Sequence, residues 1–97
     1  MNFKMFMTSG VDSLVKEGVL KDKDILIALC KFTSNDWGIL CDEDKELQNE
    51  LLKNPKSKYI DRFMGVYMIN EIKIWIMSEY DYSIENLIYT VLLPEEY

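Results

Sequence analysis

Ile69-Asn70-Glu71-Ile72-Lys73-Ile74-Trp75-Ile76-Met77 is the stretch on which the reading of this chain turns. Isoleucine recurs at 72, 74 and 76, and Lys73, Trp75 and Met77 lie between. Successive side chains of a strand point to opposite faces, so this spacing predicts a strand whose isoleucines face a core while Trp75 and Met77 face away. Asn70 and Glu71 precede it as a two-residue hairpin turn, with Asn tolerating the backbone such turns need. Upstream, residues 58–69 are rich in Tyr, Ile, Phe, Val and Met and supply the partner strand, with Gly65 as a bulge or a point of close packing. Downstream, residues 80–86 read as a turn and residues 87–93 as a third strand, which Pro94 ends.

Working back toward the N-terminus, the period changes from 2 to 3.6. Asn54 and Pro55 mark the change, since Pro cannot continue a helix. A helix is expected over residues 42–53, capped by Asp42, with Glu43 and Asp44 in its first turn and Leu47 and Leu51 as its buried stripe. Before it, Ile25, Leu29 and Phe32 share one helical face and Leu26 and Cys30 an adjacent one, which predicts a largely buried helix from Asp22 or Asp24, broken by residues 33–36. Asn2 to Met7 reads as a short strand or arm, followed by a helical turn that Ser9 caps and Gly18 ends. The expectation is an α+β fold in a single domain spanning residues 1–97: two or three helices on a three-stranded antiparallel meander, four-stranded if the first segment joins it.

Composition removes many functions. The 97 residues carry 17 acidic and 11 basic side chains and no histidine, a formal charge of −6. Without histidine there is no Ser-His-Asp triad, Cys-His pair or imidazole ligand within the chain. The four glycines form no phosphate loop, and no CxxC, HExxH or calcium-hand spacing occurs, so neither a cofactor nor a metal is expected. The acidic balance argues against direct nucleic-acid binding, and no apolar run is long enough to cross a membrane. Two cysteines, Cys30 and Cys41, with no secretory leader pattern, point to a cytoplasmic protein with free thiols, read as small buried hydrophobes. Charge is unevenly spread: acidic stretches at 35–52 and 78–97 flank a basic one at 53–77.

Several residues stand out as candidate binding positions. Asp36 and Trp37, before Gly38, form either a recognition loop or a plug for the core. Asp42, Glu43 and Asp44 form an acidic cluster whose plain reading is a helix cap. Trp75 with Met77 and Tyr67 would make a binding patch if no helix covers it. Glu79 and Asp81 close the second strand, and Glu95, Glu96 and Tyr97 follow the third; the tail either stays solvated or folds back through Tyr97. No catalytic residue is assigned, because carboxylates alone leave no ordered nucleophile and base.

Asp36-Trp37-Gly38, Glu43-Asp44, Ile74-Trp75-Ile76, Ser78-Glu79, Asp81 and the ending Leu92-Leu93-Pro94-Glu95-Glu96-Tyr97 together resemble a family of small bacterial proteins labelled plasmid-related. The resemblance spans residues 33–97, and departs from the family pattern in the longer 53–67 stretch and at Tyr82. It implies an origin on a mobile element or phage; for a small, acidic, histidine-free protein of such an element, without a nucleophile–base pair, the expectation is a non-enzymatic protein that inhibits or modulates a host defence system by binding. The partner so implied is a host protein such as a restriction or CRISPR nuclease, with partial DNA mimicry by the acidic stretches as one version. A rival expectation is a homodimeric sponge for a nucleotide signal, using Trp75 beside Lys56, Lys58 and Arg62. A carboxylate-metal hydrolase ranks third.

Overall fold

The computed structural model describes residues 3–57 and 61–97. Asn2 and Lys58, with the opening of the expected 58–69 strand, fall outside them. In chain order the elements are β1 (Phe3–Met7), α1 (Ser9–Lys16), α2 (Asp22–Thr33), α3 (Asp42–Leu51), β2 (Phe63–Ile69), β3 (Ile72–Asp81), β4 (Asn86–Leu92) and a closing 3-10 turn, η1 (Pro94–Glu96). The fold is α+β, three helices on one sheet. The three C-terminal strands are the expected antiparallel meander, with Ile69 opposite Ile72 and Trp75 opposite Leu92. Asn70 and Glu71 take φ of 50° and 65°, the left-handed pair that matches the twist of a two-residue hairpin.

The fourth strand corrects the wholly antiparallel expectation. The sheet order is β1-β4-β3-β2, and β1 lies parallel to β4, from Phe3 opposite Leu87 to Met7 opposite Val91. The sheet is therefore mixed.

One face of this sheet carries the core. Ile74 and Ile76 are fully buried, joined by Phe63, Tyr67, Tyr89 and Val91. Val11 from α1 and Ile25, Ala28, Leu29 and Phe32 from α2 pack onto them. The α2 residues recur at i, i+3, i+4 and i+7, one helical stripe. Leu26 and Ile27 on the flanks are exposed, so α2 is amphipathic rather than largely buried. Cys30 and Cys41 are exposed as well, against the expectation of buried thiols.

α3 departs further from the hydrophobic reading. Leu47 is 61% exposed and Leu51 half-buried, whereas Gln48 is 8% exposed. Cys41, not Asp42, holds the cap position, and its thiol donates to Asp44 Oδ2 at 3.0 Å. The reason for burying Gln48 lies in the sheet. Gln48 Nε2 donates to the Met64 carbonyl at 3.0 Å, and its Oε1 accepts the Met64 N–H at 2.7 Å. β2 is an edge strand, and this amide satisfies the groups another strand would pair.

Two residues further along the same edge, Val66 donates to the Trp37 carbonyl at 3.0 Å and accepts the Ile39 N–H at 2.8 Å. Gly38 sits between these bonds at φ 73°, where an added Cβ would lie 1.9 Å from the Val66 oxygen. Gly65 meets the second of its two expected roles, since the Tyr67 ring lies directly over it.

Candidate functional site

Strand alternation and register define the second face of the sheet. Across it run Met64, Met77, Thr90 and Phe6 in one row and Val66, Trp75 and Leu92 in the next, with Met68 and Ile88 at the ends. Cover on this face is partial: Val66 and Leu92 are buried, Met64, Trp75, Met77, Ile88 and Thr90 are half-buried, and Phe6 is 52% and Met68 57% exposed. An apolar sheet face left this open marks an interaction site more often than a neutral surface. Lys4, Lys73 and Glu79 stand on the same face around it, and the Arg62 guanidinium reaches Glu79 Oε2 at 3.2 Å.

The chain returns to this face through η1. Pro94 ends β4, Leu93 remains extended, and the turn brings the Tyr97 ring edge-on to Trp75 with centroids 5.4 Å apart. Tyr97 thus folds back, while its own ring stays mostly exposed. Beside it lies a cleft of about 240 Å³ lined by Arg62, Met77, Glu79, Thr90, Leu92 and Tyr97. The Trp75 indole N–H is enclosed and has no acceptor among the described residues. Buried donors are nearly always paired, so this one is short of an oxygen.

Glu96 holds the turn in place. Its carboxylate accepts the Thr8 hydroxyl at 2.5 Å and the N–H groups of Gly10 and Leu93 at 3.0 Å each. These bonds, that of Thr8 foremost, hold its carboxyl below the usual carboxylate range.

Of the residues singled out in the sequence, the structure gathers Trp75, Glu79 and Tyr97. Tyr67 does not join them. It lies on the core face, donates to the Asp36 carbonyl at 2.7 Å, and burial pushes its phenol well up, with Asp36 adding to the effect. Trp37 plugs the core: it stacks on Phe63 at 5.7 Å and donates to Asn49 Oδ1 at 3.0 Å. Asp36 is exposed and its Oδ1 takes the Gly38 N–H at 3.0 Å, closing that loop. Asp42, Glu43 and Asp44 stand exposed in the first turn of α3. Asp81 binds the Ser83 hydroxyl and N–H within its own turn, which lowers its carboxyl. Glu95 is exposed within η1.

Sequence reasoning did not place Thr90, Leu92 or Phe6 on this face, and met Arg62 only as a contact for a nucleotide. Phe6 joins the face only through the parallel β1–β4 pairing, which leaves no local signal. Leu92 lies directly opposite Trp75, a register that the sequence alone did not fix. No group of three or more metal-ligating side chains occurs among the described residues, and none of their helices is long and apolar enough to cross a membrane. Comparisons with protein-family models, with curated proteins and with solved structures found no match.

Proposed function

We propose that this chain is a non-enzymatic binding protein that engages a partner protein through the second face of its sheet. The carrying observation is the apolar run Phe6–Thr90–Met77–Met64 beside Trp75, half-buried except at the exposed Phe6, and rimmed by Lys4, Lys73 and the Arg62–Glu79 pair. An apolar centre with aromatic anchors and a charged rim is the usual anatomy of an interface. Trp75, half-buried with the Tyr97 ring edge-on to it, is the aromatic centre of that surface.

The setting we propose is a mobile element or phage, in the cytoplasm, with a host defence protein such as a restriction or CRISPR nuclease as partner. The mobile-element setting and the partner rest on the family resemblance of the sequence, and the cytoplasm on the two free thiols. Phosphate mimicry is the weaker version, because Glu79, Asp81 and Glu96 already spend their carboxylates on Arg62, Ser83 and the Thr8–Gly10 junction. The nucleotide-sponge reading is weaker too, since Arg62 is engaged by Glu79.

The test compares wild type, Met77→Glu on the second face and Leu26→Glu on the outer side of α2 as baits in host lysate, after circular dichroism has shown equal folding. A protein captured by wild type and Leu26→Glu but lost with Met77→Glu supports the reading. Capture indifferent to Met77→Glu overturns it. A steep loss with salt that follows substitution of Asp42, Glu43 and Asp44 instead assigns binding to the acidic cluster.

A further inference from the structure

The two edges of the sheet are treated differently. On β2 the outward groups of Met64 and Val66 are taken up by Gln48, Trp37 and Ile39. β1 is the other edge, and its sequence Phe3-Lys4-Met5-Phe6-Met7 carries one charge. Lys4, Met5 and Phe6 are exposed. A flat apolar edge strand is a template for a further strand.

The hydrogen-bond phase of β1 follows from one bond. Thr8, directly after the strand, donates its N–H to the Val91 carbonyl of β4 at 3.0 Å. In a parallel pair every second residue turns both backbone groups toward the neighbour. Residues 4 and 6 therefore face β4 with Thr8, and Phe3, Met5 and Met7 turn theirs outward.

The geometry points to the β1 edge as a self-pairing surface, on which a second copy of this chain adds its own β1 antiparallel, with Met5 opposite Met5 across a two-fold axis normal to the sheet. Such an axis keeps like faces together, so only registers centred on a residue are allowed. Centring on Met5 pairs Phe3 with Met7 and Met7 with Phe3 as well, and uses every outward group, about six hydrogen bonds in all. Centring on Lys4 or Phe6 uses about four. Charge selects the same register. Centring on Lys4 sets ammonium against ammonium, which is destabilising in directly opposed cross-strand pairs. Centring on Met5 sets each Lys4 against the partner's Phe6 ring on the second face, a cation over an aromatic. The product is one continuous eight-stranded sheet, four strands from each copy, whose two apolar faces join side by side. This inference rests on the backbone of the strand edge and shares only Lys4 and Phe6 with the proposed partner-binding face.

Sedimentation equilibrium of the full chain across micromolar to millimolar concentration reads the association directly. Wild type is expected to form a dimer, with the Met5 and Met7 amides slowing in hydrogen exchange as concentration rises. Met5→Pro removes an outward donor that β4 does not use, and is expected to weaken the dimer by at least about tenfold. Met5→Lys leaves the backbone intact and places two ammonium groups across the axis, so its dimer is expected to be weaker and to recover partly with salt. Should Met5→Pro fail to fold, Met5→Lys carries the comparison. A wild type that stays monomeric throughout, including one whose β1 pairs only with a strand of a different protein, overturns the inference. So does a dimer that Met5→Lys leaves unchanged.

Discussion

Glu96 caps a helix that begins near the opposite end of the chain: its Oε2 accepts the N–H of Gly10, in the first turn of α1, at 3.0 Å. Thr8 holds the cap position but makes no side-chain bond to its own helix, and gives its hydroxyl to Glu96 instead. A carboxylate at a helix N-terminus satisfies free N–H groups and meets the positive end of the dipole. The same side chain accepts the Leu93 N–H, so one residue ties the start of α1 to the end of β4.

The pH dependence follows in sign. A carboxyl held below its ordinary range in the fold stabilises the protein at neutral pH, and that contribution is lost as pH falls through the folded value. Glu96→Gln is expected to unfold at a lower urea concentration than wild type at pH 7, with the gap closing toward pH 3. Asp81→Asn follows the same direction through Ser83 and serves as a comparison away from the clip. Urea titrations at stepped pH measure both.

Trp37 is 4% exposed, stacked on Phe63 and edge-on to Phe32. Trp37→Ala is expected to cost about 3–5 kcal/mol, the range for a large aromatic removed from a core. Asn49→Ala leaves the ring in place and costs about 1 kcal/mol, the worth of one hydrogen bond. Equilibrium denaturation of the two variants separates packing from bonding, and a cost below about 1 kcal/mol for Trp37→Ala would contradict its core role.

Gln48 replaces a neighbouring strand with a single amide, so each of its two bonds to Met64 is exposed to substitution. Gln48→Leu keeps the volume, leaves the edge unpaired, and is expected to cost about 1–3 kcal/mol. Gln48→Glu sets a carboxylate oxygen against the Met64 carbonyl, which disfavours the charged form and raises the folded pKa. The deficit of that variant relative to wild type is therefore expected to shrink as pH falls, when the protonated carboxyl can donate as the native amide does. A deficit that widens at low pH contradicts the edge-capping account.

What the sequence made legible was local. Alternation over residues 72–77 located β3 and its core face, and Asn70-Glu71 located the hairpin, because both signals span a few residues. The β1–β4 pairing joins strands about 80 residues apart, and a parallel pair has no turn to announce it. Hydrophobicity favoured Leu47 over Gln48 because a sequence does not show that an edge strand will lie beside α3 and require a donor and an acceptor. Trp75 was correctly turned from the isoleucines, yet its neighbours were misjudged at Tyr67, since face membership on β2 depends on a register that only the pairing fixes. Tyr97 reaches Trp75 through Glu96, whose partners Thr8 and Gly10 lie near the far end of the chain.

Gly38 and Gly18 both take positive φ, 73° and 79°, and differ in surroundings. An added methyl at Gly18 meets open space, so Gly18→Ala is expected to cost about 1 kcal/mol from backbone strain alone. At Gly38 the methyl would strike the Val66 carbonyl and break the bridge that closes the β2 edge. Gly38→Ala is expected to cost about 2 kcal/mol or more. Similar costs at the two sites in thermal unfolding would contradict the bridge.

Tyr97 covers Trp75 from the solvent side, and its removal tests the second face without touching the core. The contact is one edge-on aromatic pair at the surface, so Tyr97→Ala is expected to cost no more than about 1.5 kcal/mol. Its optical effect is larger than its energetic one. In a Trp37→Phe background, where Trp75 is the remaining indole, the variant is expected to shift emission to the red and to quench more readily with acrylamide, because the ring loses its cover. The same substitution in the presence of Trp37 leaves the buried indole component unchanged, since Trp37 is held between Phe63 and Phe32 on the opposite side of the sheet. Glu96→Ala is expected to reproduce the Trp75 shift in part, because η1 is tied to the domain through that carboxylate. An unchanged Trp75 spectrum in Tyr97→Ala would mean that the ring does not shield the indole in solution, and would leave the open face wider than the structure shows.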